Sequence, residues 1–170
     1  CAIWSFSNLS YVNAILFISF VLVLSAISII DLYTYRIPLL FILLGLVLNA
    51  FGIILGNITF EGAVWGIFIG AIIPLIIMGS LWMVTKRQGM GYGDIQLGFV
   101  LGAWLGPMRM AITLFVASLM SLLVWIGVSI FRGFDRDLAL PFGPFLSIAG
   151  ISAFVGSYYY PELFYLLTFE

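Results

Sequence analysis

The residues able to do acid–base chemistry in this chain are few. It has seven acidic residues, no histidine and a single cysteine, Cys1. Glu61, Glu162 and Glu170 sit in a loop or the tail, and Asp135 and Asp137 share a polar loop with Arg132 and Arg136. That leaves Asp31 and Asp94, each abutting a long apolar stretch. A carboxylate beside hydrocarbon is costly, which makes it a candidate for function by default. Brought together, two such groups resist double ionisation and share a proton. One member then activates water while the other protonates a leaving nitrogen, so a peptide bond is hydrolysed without metal or covalent nucleophile. Other chemistries lack their parts. There is no His to activate a Ser or Cys, and no Cys/His set for zinc. The competing reading is structural: aspartate is favoured at helix starts, and Arg36 lies near enough in sequence to pair with Asp31.

Asp94 lies within the run Gln88-Gly89-Met90-Gly91-Tyr92-Gly93-Asp94-Ile95-Gln96-Leu97, with Gly93 directly before it and Gly91 two residues further back. Glycine at these positions lets the backbone take φ > 0 or approach a bound chain closely. The expectation is that the run positions Asp94 and that a β-branched residue at Gly93 is poorly tolerated.

The elements that must carry these groups are membrane segments. Hydrophobic residues make up 64% and charged residues 8% of the 170, with a mean hydropathy of +1.27. Soluble chains carry about a quarter charged residues. A net charge of −1 gives no sign of nucleic-acid binding. The apolar runs predict an all-α, polytopic membrane helix bundle of about six transmembrane helices in one domain, residues 1–170, with approximate spans 11–30, 39–55, 62–84, 95–105, 108–131 and 141–156. Pro74 predicts a kink in the third. The fourth, ending at Gly106-Pro107, is short or re-entrant, because it cannot cross ~30 Å of hydrocarbon at 1.5 Å per residue. Trp4 and Phe6 read as interfacial anchors, and the aromatic tail, 157–170, as a segment along an interface.

Single crossings put Arg36, Lys86, Arg87, Arg132 and Arg136 on one side and Arg109 on the other. The positive-inside rule assigns the basic side, with Asp31 and Asp94, to the cytoplasm. Glycine stripes at Gly62, Gly66, Gly70 and at Gly98, Gly102, Gly106, with Gly52 and Gly56 as a shorter case, predict close helix packing that holds the fourth span tightly.

Asp31 in Ile-Asp-Leu-x-x-x-x-Ile-Pro, followed 63 positions later by Asp94 in Gly-Met-Gly-Tyr-Gly-Asp-Ile-Gln-Leu, resembles the type IV prepilin peptidases. The blocks Leu101-Gly102-Ala103-Trp104-Leu105-Gly106 and Leu140-Pro141-Phe142-Gly143-Pro144-Phe145-Leu146 extend the resemblance from about Ile15 to Gly156. It implies an aspartic membrane protease of the Gly-x-Gly-Asp kind, with Asp31 and Asp94 as catalytic pair and Gly91 and Gly93 as motif glycines. The implied substrates are prepilins and pseudopilins of pilus or type II secretion systems, cut after a glycine at the cytoplasmic face of a bacterial or archaeal cytoplasmic membrane. No cofactor is implied for proteolysis. Many bacterial relatives of this kind also N-methylate the new terminus with S-adenosylmethionine and carry a four-cysteine zinc cluster upstream. Those cofactors are expected only if such a region exists outside this chain, which begins with Cys rather than Met and reads as a fragment, a processed form or a naturally short peptidase.

Two other readings stand beside it. A small transporter or channel can use paired aspartates as proton or ion ligands, although relay carboxylates usually lie near the bilayer midplane and no internal repeat is evident here. A presenilin-like or signal-peptide-peptidase-like protease also uses two aspartates, with Tyr-Asp expected at the first site where this chain has Ile30-Asp31.

Overall fold

The structure is a computed structural model and describes residues 11–85, 91–132 and 140–162. The expected anchors Trp4 and Phe6, the basic residues Lys86, Arg87 and Arg136, and the end of the aromatic tail lie outside the described residues, as do Gln88 to Met90. Among the described residues every regular element is helical: α1 (Tyr11–Thr34), α2 (Leu39–Ile54), α3 (Phe60–Ile67), a π turn (Phe68–Ile72), α4 (Ile73–Thr85), α5 (Tyr92–Arg132) and α6 (Gly143–Tyr159). With no water in a bilayer core to pair exposed amides, a helix is how an apolar segment satisfies its own backbone. Side-chain hydroxyls follow the same logic. Ser25, Ser28 and Thr34 each donate to the carbonyl four residues back at 2.8 Å.

Three helices, Tyr11–Thr34, Phe60–Val84 and Tyr92–Phe131, are long and apolar enough to cross a membrane, and Leu39–Ile54 is a shorter apolar helix. Large apolar side chains cover the outside of the bundle, among them Leu22, Leu40, Ile76, Phe115 and Leu123. In water such a surface would aggregate, but in lipid it is solvated. The molecule is an all-α membrane helix bundle.

The predicted helix limits hold to within a few residues, with three informative differences. The third segment starts at Phe60 rather than Gly62, because Thr59 caps it by accepting the Gly62 N–H at 3.2 Å. At Pro74, where a kink is expected, the helix runs on behind a π turn. Proline cannot donate to the carbonyl four residues before it, and its ring crowds that carbonyl. The π turn over Phe68–Ile72 widens the backbone just ahead of Pro74, one of the ordinary responses to a disrupted ladder. The fourth segment begins at Tyr92, so half of the glycine run is already helical. Residues 92–105 still rise only about 21 Å before Gly106 turns the chain with φ 75° and ψ 176°. Pro107 disfavours a helical conformation in the residue before it, and glycine tolerates the positive φ.

Between α3 with its π turn and the first part of α5 the two glycine stripes meet. A Cβ on Gly66 would run into the carbonyl of Gly102, and one on Gly102 into the carbonyl of Gly66. Gly70 and Gly98 exclude each other in the same reciprocal way, and a Cβ on Gly106 would face the Gly62 carbonyl at 3.9 Å. The stripes are therefore antiparallel and in register, backbone against backbone, as small residues allow in lipid. On its other sides α5 packs against α2 and α6. Its face, with Leu97, Val100, Leu101 and Leu105, meets Phe20, Leu24 and Ile27 of α1 and Leu146 and Ala149 of α6 in one core. Buried Asn49 of α2 ties that helix to α5 by donating to the Val100 carbonyl at 2.9 Å. At the end away from Asp31, Phe20 stacks on Trp104 at 4.2 Å, Phe17 on Phe154 at 4.8 Å, and Arg109 stands 5.7 Å from the Phe154 ring. Arg109 is thus in the part of the bundle away from Asp31.

Candidate active site

Asp31 lies in the last full turn of α1, which ends where Tyr35 adopts φ 53° and its N–H returns to the Asp31 carbonyl at 2.9 Å. A non-glycine residue with positive φ is uncommon and, for a bulky side chain, strained. The connector that follows carries Ile37 and Pro38 into α2. Asp94 is the third residue of α5. Its side chain reaches back to the Gly91 N–H at 3.2 Å, while its own N–H meets the Gly91 carbonyl at 3.1 Å. This is the acidic half of a capping box, with Gly91 as the cap. The structural reading of Asp94 as a helix-start residue is therefore correct in its geometry, and it leaves one carboxylate oxygen uncommitted among the described residues.

Asp31 is held from further away. Its Oδ2 accepts the N–H of Gly143, the first residue of α6, at 3.0 Å. Only 4% of Asp31 is exposed, whereas Asp94 is half-buried and Arg36 exposed. Arg36 is the partner that a simple helix-boundary role for Asp31 would need, and the hydrogen bond goes to Gly143 instead.

The folding of α1, α5 and α6 brings Asp31 and Asp94 to one end of the bundle: Gly93, next to Asp94, lies against Ile37 of the connector that follows Asp31. Each carboxylate accepts the N–H of a glycine at a helix start, with tight clearance at Gly91 and none without a shift at Gly143. A Cβ on Gly91 would stand 3.1 Å from the Asp94 Oδ2, and one on Gly143 would stand 2.7 Å from the Asp31 Oδ2. Gly93 plays a different part from the one expected. Its φ is not positive; it is a helical residue whose missing Cβ lets α5 lie against Ile37, where that atom would approach to 3.1 Å. The need at Gly93 is for space against a neighbour rather than for backbone freedom.

Gly143 is the residue of this site that sequence reasoning passed over. Its block was legible as a helix start, since Pro144 suits the first turn, but nothing local ties that start to Asp31. Among the described residues no group of three His, Cys, Asp or Glu could hold a metal ion.

Fold and site together define an all-α membrane helix bundle with two glycine-cradled carboxylates at one end. The sequence profile of the type IV leader peptidase family matches residues 16–126, and the chain belongs to that family. It is similar to the prepilin leader peptidase/N-methyltransferase of Aeromonas hydrophila, 36% identical over 106 residues that cover 62% of this chain and 36% of the relative. The protein of the same name from Pseudomonas putida is 35% identical over 127 residues, covering 74% and 43%. That from Pseudomonas aeruginosa is 33% identical over 114 residues, covering 67% and 38%. The chain thus spans well under half the length of these curated relatives. No solved structure matches it.

Proposed function

We propose that this chain is an aspartic endopeptidase that removes the leader peptide of type IV prepilins and pseudopilins at the cytoplasmic face of the membrane, with Asp31 and Asp94 as its catalytic pair. The observation that carries the reading is that the start of α5, with Asp94, packs against the connector that follows Asp31, so the two carboxylates, far apart in sequence, lie at one end of the bundle. In the proposed reaction one carboxylate takes a proton from water as it attacks the scissile carbonyl. The other protonates the leaving nitrogen, and the proton exchanged between them restores the pair. Glycine on both sides of the site keeps side chains away from the carboxylates and leaves space beside Asp94. A substrate cut just ahead of an apolar helix suits this location, because its helix would remain in lipid while the cleavage point reaches the end of the bundle. Proteolysis by this route uses no cofactor. S-adenosylmethionine and zinc would belong to a methyltransferase region beyond these residues.

The direct test is cleavage of a prepilin leader peptide by the purified protein in detergent, read by mass at the new terminus. No cleavage by well-folded protein would remove the reading. Orientation is tested separately. In a Cys1→Ser background, cysteines introduced as Arg36→Cys or Arg87→Cys are expected to resist an impermeant thiol reagent in intact cells and to react once the cytoplasmic side is opened. Labelling of either from outside would reverse the assigned topology.

Gly93→Val is expected to leave a folded protein that cleaves roughly 10²-fold more slowly, the scale of loss for a catalytic group displaced by about 1 Å. The added methyls press on Ile37 and push the first turn of α5, with Asp94, outward. Overpacking of this kind costs about 1–3 kcal/mol, so the melting temperature in detergent should fall only modestly. A wild-type rate in Gly93→Val would make the contact with Ile37 irrelevant to catalysis.

A further inference from the structure

Asp31 occupies an unfavourable place for a carboxylate. It lies in the last turn of α1, where the free carbonyls give the helix its negative end, and it is almost wholly buried. Asp94 has the opposite situation, in the first turn of its own helix with a local N–H donor. The donor that Asp31 lacks locally comes from α6, whose first N–H groups have no partner within the helix. Gly143 delivers one of them to Oδ2 at 3.0 Å. The approach is possible only because residue 143 has no Cβ, since that atom would lie 2.7 Å from Oδ2, 3.3 Å from Cγ and 3.5 Å from Cβ of Asp31. Pro144, buried in the first turn, fixes the backbone direction of this start.

We propose that Gly143 is a positioning residue: the amide at the start of α6 holds the Asp31 carboxylate in its working orientation beside Asp94. The two carboxylates then stand on two helix N-termini, Asp94 on its own and Asp31 on one supplied from 112 residues further along the chain. Gly143 touches neither water nor substrate in this scheme and acts only through Asp31. The proposal rests on the reading of Asp31 and Asp94 as the catalytic pair.

Two measurements on Gly143→Ala test it. In leader-peptide cleavage, kcat should fall roughly 10–100-fold with KM within about twofold of wild type, because the added methyl displaces the carboxylate and leaves substrate contacts alone. Gly156→Ala, a change in the same helix with nothing within 4 Å of the new atom, should keep the wild-type kcat. In thermal unfolding, Gly143→Ala should lower the melting temperature of the wild type and have little effect in an Asp31→Ala background, where Oδ2 and Cγ are gone and only the ordinary 3.5 Å contact with Cβ remains. If the wild type cleaves and Gly143→Ala cleaves with the same kcat, or loses activity mainly through KM, the proposal is overturned while the peptidase reading survives. If the wild type does not cleave, the peptidase reading fails, and the positioning proposal falls with it even if unfolding shows the coupling to Asp31. Should Gly143→Ala not accumulate, Pro144→Gly takes its place. It adds no atom beside Asp31, loosens the first turn of α6 and should lower kcat with KM held, and an unchanged kcat there also overturns the proposal.

Discussion

Asp31→Asn and Asp94→Asn are each expected to reduce leader-peptide cleavage by roughly 10²–10⁴-fold, the contribution of a positioned acid or base, with the double variant scarcely worse than either. Asparagine matches aspartate in shape, and its side-chain oxygen still accepts from Gly143 or Gly91, so both hydrogen bonds to the backbone survive. Only the ability to exchange a proton is lost. Groups that act as one catalytic unit are not additive, because removing either stops the same proton transfer. The wild-type rate should be bell-shaped in pH, with apparent pKa values that belong to the pair rather than to one residue. An Asp31→Asn enzyme that kept substantial cleavage while Asp94→Asn was inactive would return Asp31 to the status of a helix-end residue. The cradle at Gly143 would then be a packing detail.

The second large effect is on the bundle itself. Gly66→Val or Gly102→Val should destabilise the protein by more than about 3 kcal/mol, beyond the usual range for overpacking, and in practice leave little folded protein in detergent. The obstruction in each case is a carbonyl of the facing helix. A side chain can swing to another rotamer, but a helix backbone has no such freedom, so α3 and α5 must part along their whole contact. Gly79→Ala and Gly127→Ala form the control, since a Cβ at either position meets nothing within 4 Å. Both should be neutral or stabilising by about 0.5–1 kcal/mol, the ordinary gain of replacing glycine within a helix. Melting in detergent together with protease resistance would measure the contrast. A Gly102→Val protein with wild-type melting would mean that the stripes do not hold the helices together. Because α5 carries Asp94, any partial accommodation should also appear as lost cleavage.

Much of this architecture was legible before any coordinates. An apolar run of membrane length has one economical solution for its backbone, which is to satisfy its hydrogen bonds within a helix. Composition and run length therefore determined the all-α membrane class and located the helices to within a few residues. The same scarcity of charge isolated Asp31 and Asp94, since a carboxylate against hydrocarbon stands out in a chain with so few. Gly106-Pro107 marked the break in α5 for an equally local reason, the steric demand of proline on the residue before it. Partnership was not local. The spacing of glycines named two stripes, but only the packed bundle set Gly66 against Gly102 and Gly70 against Gly98. The role of Gly93 looked like backbone freedom and proved to be clearance for Ile37, which depends on where α5 meets the α1–α2 connector. The donor to Asp31 lies 112 residues away at the start of α6, and no periodicity in the sequence records that distance. Sequence determines what each helix is because the bilayer acts on every residue separately, whereas which atoms of two helices touch is decided by the packing of all of them at once.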